Sequence, residues 1–320
     1  MIKQTITGLA AALALTGALA QELKEINFGI ISTEASQNLK AQWQPLLDDM
    51  AKKTGYKVNA FFAPDYAGII EGMRFNKVHV AWYGNKSAAE AVDRASGEVF
   101  AQMVNADGTQ GYYSHLIVHK DSPLKTLDDV LKNAKSLSFG NGDPNSTSGF
   151  LVPSYYVFAQ NKIDAKTAFK VVRSGNHETN ALTVANKQID VATNNSENLD
   201  KFKDSLPQKF AEVRVVWTSP LIPLDPLVMR KDLPEANKQK IKDFLYNYGK
   251  GGAHEKEVLM KISKLSSFKP STNAQLIPIR QLELFKDRNK LESDTGLPAA
   301  ERQAKLAEID RKLADLSKQL

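Results

Sequence analysis

The chain has 320 residues, 42% hydrophobic and 24% charged, a balance that belongs to folded protein and excludes disorder and collagen-like repeats. It has no cysteine, which removes disulfide scaffolds, thiol nucleophiles, thiolate zinc or iron–sulfur sites and a lipid carried on an N-terminal cysteine. The formal charge of +6 invites an anionic partner, but Lys and Arg are interspersed with acids rather than gathered into a basic stripe, so no nucleic acid is expected.

Residues 1–20 read as an export signal outside the fold. Lys3 supplies the positive end, Leu9–Leu15 the apolar stretch and Ala18-Leu19-Ala20 the small-residue cleavage site. Cleavage is expected after Ala20, leaving a soluble periplasmic protein. An N-terminal membrane anchor is the competing reading, and the shortness of the run counts against it. No later apolar run approaches the ~20 residues of a membrane helix.

Beyond the signal, β-rich runs alternate with amphipathic segments of helix length, the pattern of α/β architecture. Ile26–Ile31 reads as a strand, Asn38–Thr54 as a helix, Val58–Phe62 as a strand, Tyr66–Phe75 as a helix and Val78–Trp82 as a strand. The order recurs with strand Leu137–Phe139, helix 147–161, strand Phe169–Val172, helix 177–186 and strand Asp190–Ala192. Phe28-Gly29 and Phe139-Gly140 end the first strands. Asn76-Lys77 and Asn186-Lys187 precede the third, so the Phe-to-Asn separations are 48 and 47.

Two similar lobes are therefore expected, with the chain crossing between them at Tyr113–Val118 and again from Val213–Trp217 through Pro220, Pro223 and Pro226. Residues 21–118 with 219–297 form the first lobe in this reading, 119–218 the second, and 298–320 a C-terminal amphipathic helix. Two crossings make a hinge, and a cleft lies beyond the carboxyl ends of the strands.

The stretch Phe139-Gly-Asn-Gly-Asp-Pro-Asn-Ser-Thr-Ser-Gly149 breaks a strand with a glycine turn and opens a helix with Ser146, Thr147 and Ser148. Unpaired amides, hydroxyls and the positive helix end suit a tetrahedral oxyanion. Plain N-capping is the ordinary alternative. His177 stands at a second helix start in the same lobe, as an anion donor or a capping residue. No Gly-Lys-Ser/Thr ending, Gly-x-Ser-x-Gly elbow or second histidine after His177-Glu178 is present, so no hydrolytic constellation survives. His79, His115, His119 and His254 show no metal spacing with acids, and neither a metal nor a cofactor is expected. Tyr66, Trp82-Tyr83, Tyr112, Glu197 and Asp225 fall at strand ends and crossings. There, two acids facing an uncharged oxyanion pocket would suit a zwitterion.

The stretches Phe28-Gly-Ile-Ile-Ser-Thr-Glu34, Phe61-Phe-Ala-Pro-Asp-Tyr-Ala-Gly68, Ala81-Trp-Tyr-Gly-Asn85, Phe139–Gly149 and His177-Glu-Thr-Asn180 resemble the periplasmic phosphonate-binding proteins of ABC importers. The resemblance spans nearly all of the chain from the signal to about Phe285. It implies a type II-like periplasmic binding protein of two α/β lobes that captures alkylphosphonates such as 2-aminoethylphosphonate and delivers them to a membrane permease. By the same resemblance, Ser146, Thr147, the amides of Asn145 and Ser148, and His177 hold the phosphonate oxygens. Tyr66, Tyr112 and Tyr83 line the pocket with Ser32 nearby, and Glu197 and Asp225 take a ligand amine. Alternatives are a secreted phosphoester-processing enzyme and a receptor for another phosphorus oxyanion, such as phosphite or a phosphate ester.

At the C-terminus Leu306, Ile309, Leu313, Leu316 and Leu320 repeat at helical spacing beside Glu301/Lys305 and Glu308/Lys312 pairs. The stripe either joins two copies into a homodimer or docks its helix on its own lobe.

Overall fold

The computed structural model describes residues 23–319. The expected export signal and Leu320 therefore lie outside the described residues. The chain begins with β1 (Glu25–Ile30), α1 (Ser36–Thr54), β2 (Lys57–Phe61), α2 (Tyr66–Arg74), β3 (Val80–Trp82), α3 (Asn85–Arg94) and β4 (Gly97–Asn105), and leaves through β5 (Gly111–Tyr112). Next come β6 (Ser114–His119), α4 (Leu127–Asn133), β7 (Ser138–Asn141), a helical stretch over 147–159, α5 (Ala165–Ala168), β8 (Val171–Ser174), α6 (His177–Ala185) and β9 (Val191–Asn195). They are followed by α7 (Ser196–Ser205), α8 (Pro207–Phe210) and β10 (Val213–Thr218). The return runs through β11 (Ile222–Pro223) to β12 (Pro226–Arg230), α9 (Glu235–Asn247), α10 (Ala253–Ser263), β13 (Leu265–Pro270), α11 (Ile277–Glu292) and α12 (Ala299–Ser317).

Two sheets result, ordered β13-β4-β12-β3-β1-β2 and β10-β6-β9-β7-β8. In the first, β1 lies between parallel β2 and β3; in the second, β7 lies between parallel β8 and β9. An antiparallel strand next to a crossing follows in each sheet, β12 on β3 and β6 on β9. The repeat in the sequence is thus a repeat of topology. Its Phe landmarks, Phe28 and Phe139, are both fully buried on the central strands. Each seeds an aromatic cluster: Phe28 meets Trp43, which stacks on Trp82 at 5.2 Å, and Phe139 stacks on Phe169 at 4.6 Å.

The crossings lie side by side, because β5 pairs antiparallel with β11 through Tyr112–Ile222 and Gly111–Pro223. A Cβ at Gly111 would fall 2.1 Å from the Ile222 carbonyl oxygen, so only glycine permits this approach. The structure moves one sequence-based boundary. Residues 114–118, assigned above to the first lobe, belong to β6 in the second sheet, and the crossing falls at 111–113. A short alternating strand reads the same whichever sheet receives it.

The helix opening at Thr147 is wide. Leu151 N–H reaches back five residues to the Ser146 carbonyl, Gln160 N–H does the same to Tyr155, and Pro153 sits between the two wide turns. Such π-type turns gather at functional sites. The helix is pressed against its own loop, with Gly142 N–H donating to the Gly149 carbonyl at 3.0 Å.

At the other end α12 folds back on α11, tied by Arg288 to Asp310 at 2.7 Å and Gln281 to Ser317 at 3.1 Å. Leu306, Ile309, Leu313 and Leu316 are half-buried along α12, consistent with the helix docking on its own lobe.

A Cβ at Gly142 would lie 2.4 Å from Gly149 backbone atoms that have no rotamer with which to yield. Gly142→Ala is expected to cost about 2 kcal/mol in thermal or urea unfolding, within the usual range for overpacking. An unchanged midpoint would contradict the contact.

Candidate functional site

The carboxyl ends of β1, β3, β7, β8 and β9 all open toward the space between the lobes, the expected place for a ligand in open α/β sheets. Six helix starts follow those strand ends and β2, and each brings orphan amides and the positive end of its dipole. The lobes meet directly across the space. Tyr66 N–H donates to Asp143 Oδ2 at 3.1 Å, and Lys86 N–H to Thr147 Oγ1 at 2.8 Å. Lys201 Nζ pairs with Glu34 at 3.1 Å. What remains between them is a cavity of about 420 Å³ including its mouth. Tyr66, Trp82, Tyr112, Ser146, Thr147, Ser148, His177, Asn195, Glu197, Lys201 and Asp225 are among the residues that wall it.

One wall presents hydroxyl groups whose acceptor side is occupied. Ser146 Oγ accepts the Gly149 N–H at 3.0 Å, Thr147 Oγ1 that of Lys86 at 2.8 Å, and Ser148 Oγ that of the Asn195 amide at 3.0 Å. Each hydroxyl keeps its O–H proton to donate. Thr147 and Ser148 are also the first two residues of their helix, whose amides have no acceptor within it. His177 Nε2 lies 3.5 Å from both Ser146 Oγ and Ser148 Oγ. Burial, and then the Lys201 ammonium, push this imidazole down to about 4, so it is neutral at physiological pH. The wall thus offers an acceptor-rich ligand several neutral donors.

The facing wall is acidic. Asp225 accepts the Trp82 indole N–H at 3.1 Å and the Tyr112 O–H at 3.2 Å. Burial and the neighbouring Glu197 raise its carboxyl well above the usual range. Glu197, in the first turn of α7, is pushed up to about 7 by burial, with the Lys201 ammonium opposing. Two carboxylates withdrawn from water within electrostatic reach of each other each favour the protonated form. Tyr66 and Tyr112 stay phenolic, since burial and the surrounding acids raise both.

Most of the sequence candidates converge here: Ser146, Thr147, Ser148, His177, Glu197, Asp225, Tyr66 and Tyr112 share the cavity. Two do not take the places expected. The Asn145 amide is spent on Asp143 Oδ1 at 2.7 Å in a local turn and is not free for a ligand. Tyr83 is fully buried, its hydroxyl donating to the Ile69 carbonyl at 3.0 Å, because side chains alternate along β3 and Trp82 takes the cleft side. Ser32 is buried next to the residues of the rim but is not among those of the wall.

Sequence reasoning put Trp82-Tyr83 at the cleft but took Tyr83 for the lining residue where the structure places Trp82, and it missed Asn195 as the support of Ser148, and Lys201. The last was visible as a cation four residues after Glu197, on the same helix face. Thr33 Oγ1, in the cavity wall, and His177 Nδ1 have no hydrogen-bond partner among the described residues.

Outside the cleft, tertiary structure brings His119, Asp121 and Glu212 together with three potential metal ligand atoms within 4.8 Å, which sequence spacing did not show. The ring nitrogens face different carboxylates, Nε2 toward Glu212 at 3.0 Å and Nδ1 toward Asp121 at 3.5 Å. Lys120 and Lys187 pair with those same acids, so the group is an ion-pair network.

Comparison with known proteins agrees with this architecture. Residues 28–276 match a family described as "ABC transporter, phosphonate, periplasmic substrate-binding protein". The chain is 61% identical over 298 residues, 93% of its length and 87% of the relative's, to a phosphonates-binding periplasmic protein of Escherichia coli K12. It is 30% identical to a phosphate-import protein of Mycolicibacterium smegmatis, over 62% of this chain and 63% of that one. Among solved structures, the binding component of a phosphonate ABC transporter from Pseudomonas aeruginosa superposes with a TM-score of 0.91 at 56% identity, covering 93% of this chain and 98% of that one. These relatives bind substrates for transport and are not enzymes, and no helix among the described residues is long and apolar enough to cross a membrane. The chain belongs to the periplasmic substrate-binding proteins of phosphonate ABC transporters, whose work is to present a phosphonate to a membrane permease.

Proposed function

We propose that the cleft captures 2-aminoethylphosphonate or a close aminoalkylphosphonate, with the phosphonate on the hydroxyl wall and the ammonium between Glu197 and Asp225. The observation that carries this reading is the buried acid pair facing a wall of neutral donors. A phosphonate head is acceptor-rich, matching Ser146, Thr147, Ser148 and His177, whereas Glu197 and Asp225 are left uncompensated by any ligand without a cation. The Mycolicibacterium relative is named for phosphate import, which makes a phosphorus oxyanion without an amine the second reading. Against it stands the acid pair, for which phosphate brings an O–H donor at most and no cation. Calorimetry separates them: 2-aminoethylphosphonate is expected to bind far more tightly than inorganic phosphate, and the reverse order would overturn the proposal.

We further propose export through the signal ending at Ala20, so that intact mass of the exported protein places Gln21 at the N-terminus. Self-association would require the half-buried stripe of α12 to be shared between α11 and a second copy. Light scattering on the full chain and on one ending at Pro298 decides this, a halved mass assigning the stripe to a homodimer and proportionate masses to the hairpin alone.

Glu197→Ala or Asp225→Ala is expected to weaken 2-aminoethylphosphonate by a hundredfold or so, on the order of the 2–4 kcal/mol of a broken buried charge pair. Methylphosphonate should change by less than about threefold, or bind better, because it gains nothing from either acid. Equal losses for both ligands would remove the amine role.

The acid pair also gives a pH signature. Ionised carboxylates are needed to hold an ammonium, and Glu197 takes up its proton as pH falls through about 7. The ratio of 2-aminoethylphosphonate to methylphosphonate affinity should therefore fall below pH 7, by up to about tenfold per unit, and level off above it. A ratio independent of pH between 5.5 and 8 would contradict the assignment.

A further inference from the structure

Glu178 directly follows His177 at the start of α6, yet its carboxylate is absent from the cavity wall and crosses to the other lobe. Oε2 accepts the Ala35 backbone N–H at 2.7 Å, and Oε1 accepts the Asn38 side-chain amide at 2.9 Å. The Glu178 backbone N–H adds a longer contact to the Thr33 carbonyl at 3.4 Å.

Those partners have a particular place in the fold. Ala35 is the N-cap of α1 and has no side chain with which to cap it, and the first turn of α1 holds no acid. Asn38 is the third residue of that helix. In an ordinary capping box a Glu at this third position turns back onto the N-cap N–H. Here the carboxylate comes from the opposite lobe and supplies that bond onto the N-cap N–H in trans. Its own helix does not need it, since α6 is capped by Asn176, which accepts the Thr179 N–H at 2.8 Å. Lys201 makes a second bridge onto the same segment, to Glu34 at 3.1 Å and Gln42 at 2.9 Å. Lys201, however, also faces the ligand cavity, whereas Glu178 does not.

We propose that Glu178 is a positioning residue for closure: its carboxylate caps α1 only when the lobes are shut, and so favours the closed state for every ligand by the same factor. This rests on the reading of the cleft as a ligand trap that closes on its hinge. A contact present only in the closed state multiplies the affinity of all ligands alike, whereas a group touching the ligand discriminates among them. The gain should appear as slower dissociation, since encounter occurs with the open form.

The test is Glu178→Ala, with Asn38→Ala as a second variant on the other lobe that leaves α6 untouched. Calorimetry and stopped-flow dissociation are run with methylphosphonate and with 2-aminoethylphosphonate. Both ligands should weaken together, about tenfold in Glu178→Ala and about threefold in Asn38→Ala, with the change in the dissociation rate. Unequal factors for the two ligands, or unchanged affinity in both variants, would overturn the proposal. A ligand-independent readout separates its failure from that of the functional reading. Because the chain has no cysteine, spin labels at Lys52→Cys and Lys170→Cys report the distance between lobes without interference. Glu178→Ala should shift the ligand-free distribution toward longer distances whether or not a phosphonate binds, and identical distributions would also overturn the proposal.

Discussion

Placing Glu197 and Asp225 in one cavity withdrawn from water is the interaction on which the rest of the site depends. Removing a carboxylate from water costs several kcal/mol even after the surroundings relax, and a second one alongside adds repulsion. The fold meets part of that cost with donors that cannot themselves charge: Trp82 and Tyr112 hold Asp225, and the first turn of α7 receives Glu197. Lys201 reaches the same space, but its ammonium is committed to Glu34 and Gln42. In the proposed reading, the remaining imbalance is met by a cation that the ligand supplies.

The opposite wall obeys a complementary constraint. Had the anion been met by Lys or Arg, the cleft would hold two ion pairs within a few ångströms and would bind any small anion strongly. Neutral hydroxyls with occupied acceptor sides, helix-start amides and an uncharged imidazole would instead, in the proposed reading, recognise oxygen acceptors by direction. Both walls are carried to one place by topology. The twofold repeat puts the carboxyl ends of parallel strands on each side of the crossings, and the pairing of β5 with β11 brings Tyr112 to Asp225, two residues beyond β11. Direct bonds between the lobes, from Tyr66 to Asp143, Lys86 to Thr147 and Glu178 to Ala35, hold that arrangement shut.

Much of this was legible in the sequence because local patterns encode it. Alternating runs gave the strands, the paired Phe-Gly and Asn-Lys landmarks gave the repeat, and three hydroxyl residues after a glycine turn gave the donor wall. What escaped depends on details finer than periodicity or on contacts distant in sequence. Consecutive aromatics Trp82 and Tyr83 must face opposite sides of β3, and nothing local says which faces the cleft. Asn145 lost its amide to an aspartate side chain two residues earlier. Residues 113–118 alternate as a strand would in either lobe. The trans cap by Glu178 joins residues more than 140 positions apart, and no spacing within either helix announces it.

The division of the cleft into a donor wall and an acid wall is tested most directly by the orientation of a bound aminophosphonate. A crystal structure of the complex with 2-aminoethylphosphonate measures it directly. The phosphonate oxygens are expected within hydrogen-bonding reach of Ser146, Thr147, Ser148 and His177, and the nitrogen between Glu197 and Asp225. A ligand bound the other way round, or an amine that points to solvent while the acid pair stays empty, would contradict it.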